Sequence, residues 1–77
     1  MGEARDPRHN PRFGDVIDYV SVGRHTATVI SRQNGYVRYE KRDEAGNLVG
    51  LLRCGTGIWR DRVAFGFVAH VEETSNV

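Results

Sequence analysis

The groups with chemistry to offer in this chain are ten arginines, one lysine, three histidines and one cysteine, spread over 77 residues. Arginine presents a flat fork of donors that meets phosphate or carboxylate oxygens two at a time, which lysine cannot copy. Arg8 and Arg12 lie in a proline-bearing arm, Asp6-Pro7-Arg8-His9-Asn10-Pro11-Arg12. Arg38 sits in a β-rich run two residues after Tyr36, and Arg60 and Arg62 flank Asp61 just after Trp59, the single tryptophan. Arginines for phosphates and an aromatic for stacking are the residue types of a nucleic-acid surface. The candidate binding residues are therefore Arg8, Arg12, Tyr36, Arg38, Arg60 and Arg62. Two observations weigh against them. The net charge is only +1, so bulk charge gives no polyanion signal. An excess of Arg over Lys also follows from GC-rich coding.

Other chemistries find little support. His9, His25, His70 and Cys54 lack the paired spacing of structural zinc sites, and neither a metal nor a cofactor is expected. Cys54 lies in a strand-like run and reads as a small buried hydrophobe rather than a nucleophile. Gly55-Thr56-Gly57 is followed by no lysine, so it is not a phosphate loop. No spacing brings titratable groups together in the manner of a catalytic cleft, and an enzyme is not expected. Phe65-Gly66-Phe67-Val68 matches part of an RNA-recognition strand signature. Val63 stands where that signature has a basic residue, Ala64 where it has glycine and His70 where it has an aromatic. The stretch reads instead as a buried strand with Val63, Phe65, Phe67, Ala69 and Val71 inward. Tyr19, Tyr36 and Trp59 are the aromatics expected at the periphery, Trp59 mostly buried; an aromatic cage built from them is the sharper alternative.

The elements that must position these groups are short β-rich runs divided by turn signals. Strands are expected at about 16–22, 25–33, 36–42, 47–54 and 63–71, with a single helical turn at 58–62 capped by Thr56. Asn34-Gly35 is a strong two-residue hairpin signal, because both central residues of a type I′ turn need positive φ. Asp43-Glu44-Ala45-Gly46 suits a type I turn ending in a left-handed glycine. A two-residue loop at 34–35 pairs Gln33 with Tyr36, Arg32 with Val37, Ser31 with Arg38 and Ile30 with Tyr39. Ile30, Val37 and Tyr39 then face the core, while Ser31, Gln33, Tyr36, Arg38 and Glu40 face outward. The expected core is Val16 or Ile17, Val29 or Ile30, Tyr39, Leu52, Trp59, Phe65 and Phe67.

This layout predicts an all-β fold, a small five-stranded barrel of the Src-homology-3 or Tudor type, with an oligonucleotide-binding (OB-like) barrel as the alternative. Residues 1–12 form a Pro/Arg-rich arm, 13–71 one β-barrel domain and 72–77 a frayed tail. Proline removes a donor, so the arm cannot enter a central ladder; it either straps one end of the barrel or docks on a partner. At this length the margin of stability is thin, and one cysteine forms no internal disulfide, which suits a reducing, cytoplasmic setting. There is no apolar run of membrane-spanning length.

The arm and the domain body resemble a group of small uncharacterised bacterial and prophage-borne proteins. Their pattern is roughly D-P-R-x-N-P-x-x-G-D near the start and C-x-x-x-x-W-R late in the chain. Asp6, Pro7, Arg8, Asn10, Pro11, Gly14 and Asp15 match the first part, and Cys54, Trp59 and Arg60 the second. The group tends to end in a basic, helix-like segment, where this chain continues with Ala64–Val71. The resemblance implies a small accessory protein of bacterial or phage origin and no established activity. The expected function is a non-enzymatic binding module that engages nucleic acid through its arginines; the alternative is a protein-interaction module. A monomer or weak homodimer away from membranes is expected.

Overall fold

The computed structural model describes residues 5–72. It is mostly β: β1 (Val16–Val20), β2 (Arg24–Gln33), β3 (Tyr36–Asp43) and β4 (Leu48–Gly55) are followed by a helix, α1 (Thr56–Val63), and a last strand, β5 (Phe67–His70). All five strands belong to one antiparallel sheet in the order β4-β3-β2-β1-β5. β4 and β5 are its two edges, so the sheet is open. Two turns have the chemistry the sequence demands. Asn34 and Gly35 both take positive φ, at 53° and 80°. Gly46 is left-handed at 91°, and the Asp43 carboxylate accepts from the Ala45 and Asn47 N–H groups. The β1–β2 turn carries a less usual residue, Val22 at φ 52°.

One sheet face is the core. Ile17, Ala27, Val29, Val37 and Tyr39 are buried on it, joined by Tyr19 and Cys54, and α1 lays Trp59 and Val63 over them. The β2–β3 hairpin starts in the expected register, with Gln33 opposite Tyr36, Arg32 opposite Val37 and Ser31 opposite Arg38. The register then shifts, and Val29 rather than Ile30 lies opposite Tyr39. A bulge holds two residues against one and turns the extra side chain out of the alternation. Val29 is fully buried and Ile30 is only half-buried, on the outer side.

The stretch after Cys54 departs most from expectation. The helix is longer than one turn, and its N-cap is Gly55 without a side-chain cap, rather than Thr56. Trp59 and Val63 are four apart, the spacing of one helical face, and both are buried. That pairing carries Val63 into the helix and shortens the last strand to Phe67–His70. Phe65 (102% exposed) and Phe67 (71%) are therefore outside the core, as is Leu52. Gly66 makes the crossing back to the sheet: a Cβ there would lie 2.8 Å from both the Asp18 carbonyl oxygen and Ile17 Cγ2.

Residues 5–12 of the arm are folded onto the domain; residues 1–4 lie outside the described residues. Pro7 and Pro11 are fully buried, and the Pro7 carbonyl accepts the Trp59 indole N–H at 3.0 Å. The Asp6 carboxylate accepts from the Arg8 backbone N–H, a local Asx turn. Of the expected tail, Glu72 is described and residues 73–77 lie outside the described residues.

Candidate nucleic-acid interface

The outward face of the β2–β3–β4 meander carries the most coherent surface chemistry. Alternation from the Asn34-Gly35 turn puts Tyr36 and Arg38 on that face. Arg53 is directly opposite Arg38 across the β3–β4 ladder, so it projects from the same side. The Arg53 guanidinium lies over the Tyr36 ring, 5.0 Å from its centroid. Tyr36 remains 48% exposed. These side chains, with Ile30, Ser31, Gln33, Asn34, Leu51 and Leu52, line a cleft of about 620 Å³. Two like charges opposite one another on a sheet are mutually unfavourable. Neither Arg38 nor Arg53 has an ion-pair partner among the described residues. The face thus presents two uncompensated guanidinium groups beside an available aromatic ring. Arg53 was absent from the sequence-based set; the hairpin register and the strand-four pattern together were the signal that could have found it.

The remaining sequence candidates lie elsewhere. Arg8 is engaged twice, by the Asp6 carboxylate at 3.0 Å and by the Gly66 carbonyl at 3.2 Å. Arg60 reaches the His9 carbonyl at 3.5 Å, on the arm side. Arg62 donates to the Tyr39 hydroxyl at 2.8 Å, at the open end of the core face. Arg12 is exposed, and its backbone N–H donates to Asp15. Of the six, only Tyr36 and Arg38 share the meander cleft. Tyr19, expected at the periphery, is buried, and that burial pushes its phenol up to about 12.

The motif that carries the resemblance gathers around one carboxylate. Asp15 is fully buried and accepts from the Arg5 guanidinium, from the Arg12 N–H at 2.8 Å and from the Glu72 N–H at 2.8 Å. Arg5 also donates to the Asn10 and Glu72 carbonyls. Burial alone would push the Asp15 carboxyl up; the Arg5 guanidinium and the two backbone donors outweigh it and hold the group below the usual carboxylate range. The late half of the motif meets the early half through the bond from Trp59 to Pro7. Gly14, left-handed at φ 92°, donates its N–H to the Val29 carbonyl. Asp6, Pro7, Asn10, Pro11, Gly14, Asp15 and Trp59 are thus accounted for by architecture.

Cys54 is buried, which pushes its thiol up and away from nucleophilic use. No cluster of His, Cys, Asp and Glu suited to a metal occurs among the described residues. No helix among them is long and apolar enough to cross a membrane. No family model matches the chain, and neither a curated protein nor a solved structure matches it.

Proposed function

We propose that the protein is a small, non-enzymatic module that binds single-stranded nucleic acid on the outer face of β2–β4. The observation that carries this reading is the Tyr36–Arg38–Arg53 group: two guanidinium groups without a carboxylate partner among the described residues, and an exposed ring, in one cleft of about 620 Å³. A base stacks on Tyr36 while Arg38 and Arg53 meet successive phosphates. The strand order, with a helix before the last strand, supports reading the fold as an incompletely closed barrel of the Src-homology-3 or Tudor type. The arm motif supports a bacterial or prophage origin.

Fluorescence anisotropy with a labelled oligonucleotide tests the proposal. Neutralising two phosphates predicts a log–log salt slope of about −1.4 on single strands. Tyr36→Ala should cost about 1–3 kcal/mol of affinity, and Arg38→Gln should flatten the slope by about 0.7. Binding that is absent at low salt, or unchanged in Tyr36→Ala, would remove the nucleic-acid reading.

A second reading, a protein-interaction module, is favoured by the β4 edge. Leu48, Val49 and Leu51 are each more than half exposed there, and a long apolar edge invites strand addition. A stoichiometric protein partner retained at high salt would decide for this reading.

A further inference from the structure

On the opposite side of the sheet, at the end of the core face that α1 leaves uncovered, a separate cavity of about 380 Å³ opens. It is lined by Tyr19, Val20, Ser21, Tyr39, Lys41 and Arg62. Its position follows from the pleat. Tyr39 and Lys41 are two apart on β3 and therefore project to one side. Lys41 lies opposite Ala27, a core residue, so that side is the core face. Trp59 and Val63 cover the middle of this face from α1, and Arg62, one residue before Val63, reaches round its margin to the Tyr39 hydroxyl at 2.8 Å.

We propose that this cavity binds a phosphate monoester. Every polar lining side chain is a donor at neutral pH: an ammonium, a guanidinium, two phenols and an aliphatic hydroxyl. No carboxylate lines the cavity, and neither cation forms an ion pair among the described residues. Asp18 and Asp61 line the neighbouring depression, which shares Tyr19, Val20 and Arg62, and neither forms an ion pair with Arg62. Two cations held on one wall repel each other unless an anion sits between them.

The donor count selects among anions. A carboxylate offers two oxygens in one plane, whereas a phosphate monoester offers three in a tripod with a charge near −1.5 to −2. Two cations and three hydroxyls from four different segments (β1, the β1–β2 turn, β3 and α1) match the tripod. The phenol of Tyr19, pushed up to about 12 by burial, stays protonated and able to donate throughout the physiological range. The cavity is at the small end of the range of ligand pockets, which fits a mononucleotide or a phosphorylated amino acid rather than a polymer. This site is distinct from the Tyr36 face and does not depend on it.

Titration of the ¹⁵N-labelled full chain with inorganic phosphate, phosphoserine and a nucleoside 5′-monophosphate, followed by amide shifts, tests the proposal. Saturable shifts confined to Ser21, Lys41, Arg62 and their neighbours are expected, retained in Tyr36→Ala. Lys41→Gln leaves the core side chains untouched and should weaken binding about tenfold with the spectrum otherwise unchanged; Arg62→Gln, which also removes the bond to the Tyr39 hydroxyl, should weaken it at least as much. A preference for either organic ester over inorganic phosphate would identify which source fits the cavity, while equal binding of all three supports recognition of the phosphate group alone. Three results would overturn the site: no saturation up to about 10 mM ligand, equal affinity for acetate, or wild-type binding by Lys41→Gln.

Discussion

The Asp15 carboxylate ties together distant parts of the chain. It joins the arm, through Arg5 and Arg12, to the end of the described chain at Glu72, and the residue's backbone carbonyl accepts the Val29 N–H. Asp15→Asn leaves Arg5, only 14% exposed, beside a neutral amide. Stranding a buried charge in this way typically costs about 3–5 kcal/mol, which chemical denaturation would register as a lowered midpoint. The pH dependence follows from the direction of its shift. The folded carboxyl titrates below the unfolded value of about 3.9. Its contribution is therefore complete above that value and drains away as pH falls through the folded one. Asp6, lowered chiefly by its hydrogen bond from Arg8, and Asp43, lowered chiefly by the Asn47 N–H, act in the same sense. An acid titration followed by circular dichroism should show unfolding below about pH 4, displaced to higher pH when Asp6 is replaced by Ala. At Gly66 the constraint is steric: Gly66→Ala drives a methyl into backbone and should cost about 1–3 kcal/mol.

Among the elements, the turns were the most legible and the β5 region the least. Asn34-Gly35 and Asp43–Gly46 state their conformations in residue type, and both hairpins follow. The bulge at Ile30 left no local mark, since Val29 and Ile30 are equally β-branched and equally apolar; only the tertiary fit of Val29 against the core separates them. The run Val63–Phe67 alternates like a strand, yet Trp59 and Val63 also satisfy a helical face, and packing of that face decided the matter. Arg53 was hidden for a related reason: its importance lies in its position across the sheet from Arg38, which no single segment reveals. The β1–β2 turn offers a test of local strain. Val22 is fully exposed at φ 52°, where a β-branched residue is disfavoured by about 1–2 kcal/mol. Val22→Gly should therefore raise the melting temperature by several degrees in scanning calorimetry, about 4–8 °C per kcal/mol gained. At the other margin of the sheet, Leu48→Lys places a charge on the apolar β4 edge and should lower any self-association seen by light scattering.

Across the whole molecule, the two sequence segments farthest apart in the motif are the ones that touch. The arm and α1 together cover one end of an open sheet, which is how so short a chain buries a tryptophan completely without a disulfide. The two proposed surfaces, the meander face and the cavity at the uncovered end, are on opposite sides of the sheet, and neither is lined by Asp15, Arg5 or Glu72. Binding variants at Tyr36, Arg38 or Lys41 should accordingly leave the unfolding free energy, read by chemical denaturation, within about 0.5 kcal/mol of the parent. The bond from the Trp59 indole to Pro7 also makes the arm optically visible. Because the chain contains a single indole, with Tyr39 at 5.1 Å as a neighbouring energy donor, its emission spectrum is an intrinsic gauge of whether residues 5–12 are seated. Detachment of that segment would hydrate the chromophore and shift its glow to longer wavelength, so stopped-flow mixing can time the release without any added dye.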